Sequence, residues 1–212
     1  MLPPPRRSAL RAAALLLGAA ALALAAEPIV VRFDDPAAAG KPPAGFTFAR
    51  TGAGAPGAWV VRDGALAQTS TARTEDRFPL AIYEGGAWRD LALRVRLKPE
   101  DGEVDQAGGL IFRVKDENDY YLVRANALED SVVFFRVVGG KRRELAAFAT
   151  QVLSRAWHTL EVEAAGERFV VSFDGKRLLE VTDATLKEAG KVGLWTKSDS
   201  VTLFQDLTIE PR

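Results

Sequence analysis

Apolar and polar residues alternate with a period of two through nearly the whole chain after residue 27, and this pattern limits the fold more than any other feature. The alternating stretches are short, and Gly, Asp, Asn or Pro interrupts them. Successive side chains of a strand point to opposite faces, and turns about every eight to twelve residues are typical of all-β sandwiches and barrels. We therefore predict an all-β fold with almost no helix.

The first 26 residues follow a different pattern. Three arginines (Arg6, Arg7 and Arg11) precede an Ala/Leu run over residues 12–26, and Glu27 ends the run. The run is shorter than the roughly 20 apolar residues of a membrane helix, and its end has the small residues that signal peptidases recognise. We predict a signal peptide over residues 1–26, cleaved after residue 25 or 26, and one β-sandwich domain over residues 27–212. The mature chain is then exported, to the periplasm or outside the cell, with no membrane span.

Charge and cysteine content exclude several functions. The chain has 28 basic and 28 acidic residues, so loss of the three N-terminal arginines leaves the mature chain slightly acidic and argues against nucleic acid as a partner. There is no cysteine and only one histidine, which excludes disulfides, thiol chemistry and zinc sites of the common kinds. We expect that no cofactor is required.

A hairpin around the turn at residues 116–119 predicts which side chains share a face. Pairing Lys115 with Tyr120 and assuming a five-residue loop at 127–131 fixes the parity of three strands. The predicted core face carries Leu110, Phe112, Val114, Tyr121, Val123, Ala125, Val133, Phe135 and Val137. The predicted outer face carries Ile111, Arg113, Lys115, Tyr120, Leu122, Arg124, Asn126, Phe134 and Arg136. A further strand over residues 88–98 adds Trp88, Arg94 and Arg96 to the exposed side chains.

The predicted outer face mixes arginines with aromatic rings. Flat rings pack against the C–H faces of sugars, and guanidinium groups donate to hydroxyls or carboxylates. The predicted ligand-binding residues are Trp88, Arg113, Tyr120, Arg124, Phe134, Arg136 and Trp195. A solvated sheet face with long charged side chains is the plainer interpretation, and a protein interface would use the same residue types.

Three segments resemble a known family. The segment "AGGLIFRVKDENDYYLVRAN" (residues 107–126) is similar to the central strands of concanavalin A-like lectin and glucanase domains, and most to the bacterial 3-keto-disaccharide hydrolase-like group. The segments "WHTLEVEAAGERFVVSFDGKRLLEV" (157–181) and "KVGLWTKSDSVTLFQDLTI" (191–209) fit the same pattern. The resemblance implies a jelly-roll sandwich of two antiparallel sheets. It also implies a concave face that holds a glycan in many relatives, some of which are hydrolases.

Candidate catalytic residues are few. Retaining glucanases of this fold use a Glu-x-Asp-x-x-Glu strand, whose two glutamates flank the scissile bond. Here Glu103 and Asp105 begin that pattern, but Gly108 stands where the second glutamate is needed, so the carboxylate pair is incomplete. A ketone next to the reacting carbon would let a single general base suffice, and Asp105, Glu84 and Asp199 are the candidates.

A structural calcium ion is the predicted metal. Several sandwiches of this kind join their first and last strands through carboxylate and carbonyl oxygens, which are ligands that calcium prefers. Asp34, Asp35 and Asp206 lie at suitable positions near the two chain ends. A turn at residues 34–36 and a strand-edge carboxylate at Asp206 would explain the same residues without a metal.

Three functions remain open at this point. The first is binding of a carbohydrate on the concave sheet face. The second is a hydrolase or lyase that acts on a glycoside or 3-keto-glycoside. The third is a structural or protein-interaction domain of the cell envelope, which would use a protein as its partner.

Overall fold

The computed structural model describes residues 27–212, and the predicted signal peptide lies outside that range. Fifteen strands and one 3₁₀ turn, Pro36–Ala38, make up the described chain. The strands are β1 Ile29–Val31, β2 Phe46–Gly52, β3 Trp59–Arg62, β4 Ala65–Gln68, β5 Arg77–Trp88, β6 Leu91–Asp101, β7 Ala107–Asp116, β8 Asp119–Asn126, β9 Ser131–Val138, β10 Lys141–Ala149, β11 His158–Ala165, β12 Arg168–Phe173, β13 Lys176–Thr182, β14 Gly190–Thr196 and β15 Val201–Pro211.

The strands form two antiparallel sheets. The front sheet has the order β10-β9-β8-β7-β14-β5-β2. The back sheet has the order β13-β12-β11-β6-β15-β4-β3, and β1 also pairs with β15. Strands that are neighbours in the chain exchange sheets at several points, as in a jelly roll. The predicted two-sheet antiparallel sandwich is confirmed.

The main core lies between the two sheets. Leu93 and Leu160 of the back sheet and Leu110 of the front sheet have no exposed surface there. Four rings, from Phe112, Tyr121, Phe134 and Phe169, form the centre, with centroids 4.9 to 5.9 Å apart. Such ring contacts add stabilisation beyond the area they bury, so this cluster joins the sheets firmly.

A bulge in β7 changes the predicted hairpin register. Phe112 lies opposite Tyr121, as its predicted face requires, but the register shifts between Phe112 and Asp116. Arg113 has a φ of 48° at this point, so the strand has an extra residue there. The prediction for Arg113 and Val114 is therefore wrong: Val114 packs on the outer face, and the Arg113 guanidinium lies 5.1 Å from the Phe169 ring on the core side.

The loop between β8 and β9 is one residue shorter than predicted, which inverts the faces of β9. Asn126 pairs directly with Ser131, so four residues connect the strands. One residue of register moves every side chain of a strand to the other face. Phe134 consequently lies opposite Val123 in the main core, whereas Phe135 lies on the outer face of the front sheet.

The predicted strand over residues 88–98 is two strands in different sheets. Trp88 ends β5 in the front sheet and packs partly against the main core. Arg94 and Arg96 belong to β6 and are exposed on the back sheet. The predicted arginine and aromatic face is thus divided between the two sides of the sandwich. No helix within residues 27–212 is long and apolar enough to cross a membrane.

Candidate functional site

The outer face of the front sheet is concave. Arg142 of β10 and Phe78 of β5 are separated by five strand spacings, about 24 Å in a flat sheet. The Arg142 guanidinium nevertheless lies 4.9 Å from the centre of the Phe78 ring. An arginine side chain cannot span a flat sheet of that width, so the sheet curls and brings its two edges together over this face.

Curling turns the outer face of the front sheet into a second packed layer. Twelve buried apolar residues form it: Phe78, Leu80, Ile82, Ala107, Ile111, Val114, Tyr120, Leu122, Val133, Phe135, Val137 and Trp195. Ile111, Tyr120, Leu122 and Trp195 have no exposed surface. The space that remains for a ligand therefore lies above this layer, where charged side chains cover the rings.

Arg142 covers three of those rings. Its guanidinium lies 4.6, 4.9 and 5.9 Å from the centroids of Phe135, Phe78 and Trp195, a set that we call the aromatic floor. Among residues 27–212, Arg142 forms no salt bridge, and its buried Nη1 has no hydrogen-bond partner. Burial lowers the pKa of Arg142 below its ordinary value, and the nearby Arg124 lowers it further.

Two ion pairs lie beside Arg142. The Lys197 ammonium is 2.5 Å from a carboxylate oxygen of Asp105, and the Arg124 guanidinium is 2.5 Å from Glu129. We call Asp105, Arg124, Glu129, Arg142 and Lys197 the concave cluster. Burial raises the pKa of the Asp105 carboxyl, and Lys197 and Arg124 offset only part of that effect. Three cations and two anions leave the cluster with one unpaired positive charge.

An open depression adjoins the concave cluster. Its volume is about 610 Å³, and Arg142 and Phe78 line it on the side of the aromatic floor. The other lining residues are Gly52, Ala53, Asp76, Gly140 and Lys141. Gly52 has a φ of 78°, and a Cβ there would come within 1.9 Å of a backbone oxygen, so glycine is needed at this wall. The volume is in the range of known ligand pockets.

Three of the seven predicted ligand-binding residues meet at the concave face. Arg124 belongs to the concave cluster and Trp195 to the aromatic floor. Tyr120 lies beneath them with its hydroxyl 2.8 Å from Thr51, and burial raises its pKa to about 12. Tyr120 is therefore part of the packed layer and has no surface to offer a ligand.

The other four predicted ligand-binding residues lie elsewhere. Trp88 and Phe134 pack against the main core. Arg136 forms an ion pair with Asp183 at 2.9 Å. Arg113 donates to the backbone carbonyls of Arg89, Leu186 and Gly166 at 3.0, 2.9 and 2.5 Å. The prediction that all seven share one face is wrong, because the bulge at Arg113 and the shorter β8–β9 loop change the parity on which it depended.

The three candidate catalytic carboxylates have different surroundings. Glu84 lies 2.5 Å from Lys191 on the surface. Asp199 accepts the backbone N–H groups of residues 103–105 at 2.9 to 3.2 Å. Burial opposes the charge of Asp199, but these donors outweigh burial and lower its pKa. Only Asp105 belongs to the concave cluster, where Asn126 also donates to it at 2.8 Å.

The predicted calcium ligands do not converge. No group of three or more His, Cys, Asp or Glu side chains that could hold a metal occurs in the described part of the chain. Asp35 accepts a hydrogen bond from the backbone N–H of Ala37 at 2.9 Å, and Asp206 lies 3.7 Å from Arg32. Asp34 joins neither of them in such a group. A structural calcium ion stays a prediction that no contact of these residues supports.

Sequence reasoning missed Arg142, Lys197, Glu129, Phe78 and Phe135. A usable signal existed for Arg142, because Gly139 and Gly140 form a two-residue hairpin turn that fixes the pairing of β9 with β10. This turn places Arg142 opposite Val137, on the face that carries Phe135. The alternation of apolar and polar residues predicts this strand only over residues 144–148, which leaves Arg142 outside it.

Comparisons with known proteins find relatives of the same fold whose names refer to carbohydrates. One family model, described as 3-keto-alpha-glucoside-1,2-lyase-like domain, matches residues 31–210. A levanase of Bacillus subtilis (strain 168) is 30% identical over 159 residues, which cover 72% of this chain and 22% of the levanase. The chain thus spans about a fifth of the length of the curated relative that it matches.

Solved structures have the same fold. Carbohydrate binding module CBM66 from Bacillus subtilis superposes with a TM-score of 0.64 and 25% identity, covering 77% of this chain and 94% of that chain. A β-glucanase of Bacillus licheniformis superposes with a TM-score of 0.56 over 82% of this chain and 96% of that chain. At 10% identity, the likeness to the glucanase concerns the fold alone.

Proposed function

The chain belongs to the family of 3-keto-alpha-glucoside-1,2-lyase-like domains, and we propose that it binds a carbohydrate in the depression beside the concave cluster. The predicted resemblance to concanavalin A-like domains of this group is confirmed, and the β-sandwich is a carbohydrate-related one. CBM66 is a carbohydrate binding module, and the levanase is 30% identical to this chain over 159 residues. Both similarities support the proposal by analogy. The site itself supports it by chemistry.

The observation that carries the proposal is the position of Arg142. A guanidinium that is held by rings on one side and borders an open depression on the other presents fixed donors to an incoming hydroxyl or carboxylate. Its orientation needs no reorganisation on binding, because the aromatic floor already holds it. Lys141 and Asp76 also line the depression and add further polar groups for hydroxyls.

An array of neutral and acidic oligosaccharides tests carbohydrate binding. We expect residues 27–212 to bind at least one class of saccharide, and the Arg142→Ala variant to lose that binding. Arg94→Ala is the matched control, because Arg94 is exposed on the back sheet, away from the depression. Equal binding by both variants would contradict the proposed location. If no saccharide on the array binds, a protein-interaction domain of the cell envelope is favoured instead.

A lyase acting on a 3-keto-glycoside is the second candidate, and the environment of Asp105 favours it. A ketone at C3 acidifies the C–H bond at C2. A base that takes this proton lets the electron pair form a C1=C2 bond while the glycosidic oxygen leaves C1 and is protonated. A carboxyl in the concave cluster whose pKa is raised by burial suits that role. Asp199 and Glu84 suit it less, because the pKa of Asp199 is lowered by backbone N–H donors and that of Glu84 by its hydrogen bond with Lys191, which makes both weaker bases.

Turnover of methyl 3-keto-α-glucoside tests the lyase. We expect methanol and a 2-hydroxyglycal that keeps its C3 ketone from the wild type, a loss of about 100-fold or more in Asp105→Asn, and no change in Glu84→Gln. Absence of turnover together with saccharide binding would leave a binding module. If Asp105→Asn turns the substrate over as fast as the wild type, Asp105 is not the base.

We also propose that the chain is exported, on the basis of its first 26 residues. Expression in a bacterial host followed by cell fractionation and N-terminal sequencing tests this proposal. A mature protein that begins at Ala26 or Glu27 in the periplasm or medium is the expected result. A membrane-bound protein with an intact N-terminus would contradict it.

A further inference from the structure

We propose that the concave cluster selects a saccharide that bears an anionic group, a uronate or a sulfate ester, and that Arg142 is the residue that recognises the anion. This inference rests on the proposed carbohydrate-binding function and names the ligand class of the same site. Charge, geometry and available space each support it.

Charge pairing within the concave cluster leaves Arg142 uncompensated. Lys197 pairs with Asp105 and Arg124 pairs with Glu129, both at 2.5 Å. Among the residues from 27 to 212, no carboxylate comes within salt-bridge distance of Arg142. Arg142 is partly buried, and a partly desolvated charge without a counter-ion is unfavourable. An anion that binds beside Arg142 therefore gains an electrostatic attraction that a neutral ligand does not.

Geometry gives the Arg142 guanidinium a fixed orientation. Phe135 and Phe78 hold it at 4.6 and 4.9 Å from their centroids, and Trp195 adds a third ring at 5.9 Å. Its Nη1 is buried and has no partner in the described chain. A planar guanidinium held in this way matches the two oxygens of a carboxylate or sulfate better than a single hydroxyl.

The space beside Arg142 suits a charged sugar. The depression of about 610 Å³ brings Lys141 close to the same ligand, which adds a second cation. Asp76 also lines the depression, but it is exposed, so water and salt screen its charge. Gly52 and Gly140 provide walls without side chains, where a sugar ring can approach the backbone.

Binding of trigalacturonate and of its methyl ester to the wild-type chain tests the inference without any variant. Both probes have the same sugar skeleton and differ only in charge. We expect the free acid to bind at least about 10-fold more tightly, because charge-assisted hydrogen bonds are roughly twice as strong as neutral ones. The preference should shrink as salt is raised from about 0.05 M to about 0.5 M. A 4-sulfated galactose disaccharide distinguishes a sulfate ester from a uronate.

Substitutions assign the preference to Arg142. We expect Arg142→Gln to lower the affinity for trigalacturonate about 10- to 100-fold and that for the methyl ester several-fold less, so that the ratio of the two affinities falls towards one, and Arg142→Lys to restore part of the ratio. Arg143→Gln is the matched control, because Arg143 is exposed and points to the other face of the same strand. Thermal unfolding of each variant checks that it folds.

The outcomes separate the inference from the proposed function. Equal affinity for the acid, the methyl ester and a neutral trisaccharide would overturn the anion preference and leave carbohydrate binding in place. An anion preference that persists in Arg142→Gln would overturn the assignment to Arg142. If no saccharide of either charge binds, the proposed function and the inference both fail.

Discussion

The outer faces of the two sheets share one sequence pattern but differ in structure. Along β6 and β11, the outer face of the back sheet carries exposed Arg94 and Arg96 and partly exposed Glu161, as a solvated antiparallel sheet does. On the outer face of the front sheet, Leu122 and Trp195 have no exposed surface. Alternation predicts which residues share a face, whereas the curvature of the sheet decides whether that face meets water.

Truncating a side chain in the packed layer of the front sheet should lower the free energy of unfolding more than any other change considered for the two outer faces. Leu122→Ala removes a fully buried side chain and leaves a cavity, so we expect the free energy of unfolding to fall by about 4 kcal/mol. Thr159→Ala on the outer face of the back sheet should change it by less than about 0.5 kcal/mol. Urea denaturation of both variants measures this. A loss below about 1 kcal/mol in Leu122→Ala would mean that the front face is solvated after all.

Asp199 should contribute the next largest amount, because it positions the loop that carries Asp105. Asp199→Ala removes the acceptor of three backbone N–H groups, and we expect a loss of about 3 kcal/mol in urea denaturation. Asp101→Ala is the control, because the exposed Asp101 accepts only the N–H of Gly102. Similar losses in the two variants would contradict a special role for Asp199.

The lowered pKa of Asp199 also predicts a pH dependence. A carboxyl whose pKa is lower in the folded than in the unfolded state stabilises the fold above the unfolded pKa of about 3.9. That stabilisation is lost as the pH falls from about 4 through the folded pKa. The difference between the wild type and Asp199→Ala should therefore narrow in this acid range and stay constant from about pH 6 to pH 8.

Breaking the Lys197–Asp105 ion pair should lower the free energy of unfolding less than Leu122→Ala or Asp199→Ala does. Lys197→Met leaves the buried Asp105 carboxylate without its cation, and we expect a loss of about 2 kcal/mol at pH 7, since Lys197 is one-fifth exposed. The raised pKa of Asp105 means that its protonation favours the fold, so this loss should shrink as the pH falls from 7 towards 4. The double variant Asp105→Asn/Lys197→Met should recover part of the loss. Additive effects of the two substitutions would contradict the pairing.

The Arg124–Glu129 pair should have the smallest effect on stability. Arg124 is buried but Glu129 is about half exposed, so water screens the attraction between them, and Gln at position 129 keeps a hydrogen-bond acceptor for Arg124. We therefore expect Glu129→Gln to change the free energy of unfolding by less than about 1 kcal/mol in urea denaturation. A loss above about 2 kcal/mol would indicate that the rim of the concave cluster is as tightly packed as its floor.

The sequence predicts the main core and the fold class well, because both follow from local alternation. Leu93 and Leu110 are buried between the sheets, as their parity requires. It predicts the candidate site less well, because the site depends on three features that alternation does not encode. These are the bulge at Arg113, the four-residue loop after Asn126, and a sheet curvature that brings Arg142 over Phe78.

The indole N–H signals of the four tryptophans allow the central claim, carbohydrate binding on the concave face of the front sheet, to be tested directly. Trp195 lies in the aromatic floor, whereas Trp157 lies on the outer face of the back sheet with Arg96 5.0 Å from its ring. Two-dimensional ¹H–¹⁵N NMR during a titration with trigalacturonate follows each signal separately. We predict a saturable shift of the Trp195 signal with the Trp157 signal unmoved. A saturable shift of Trp157 with Trp195 unmoved would place the ligand on the back sheet and contradict the account.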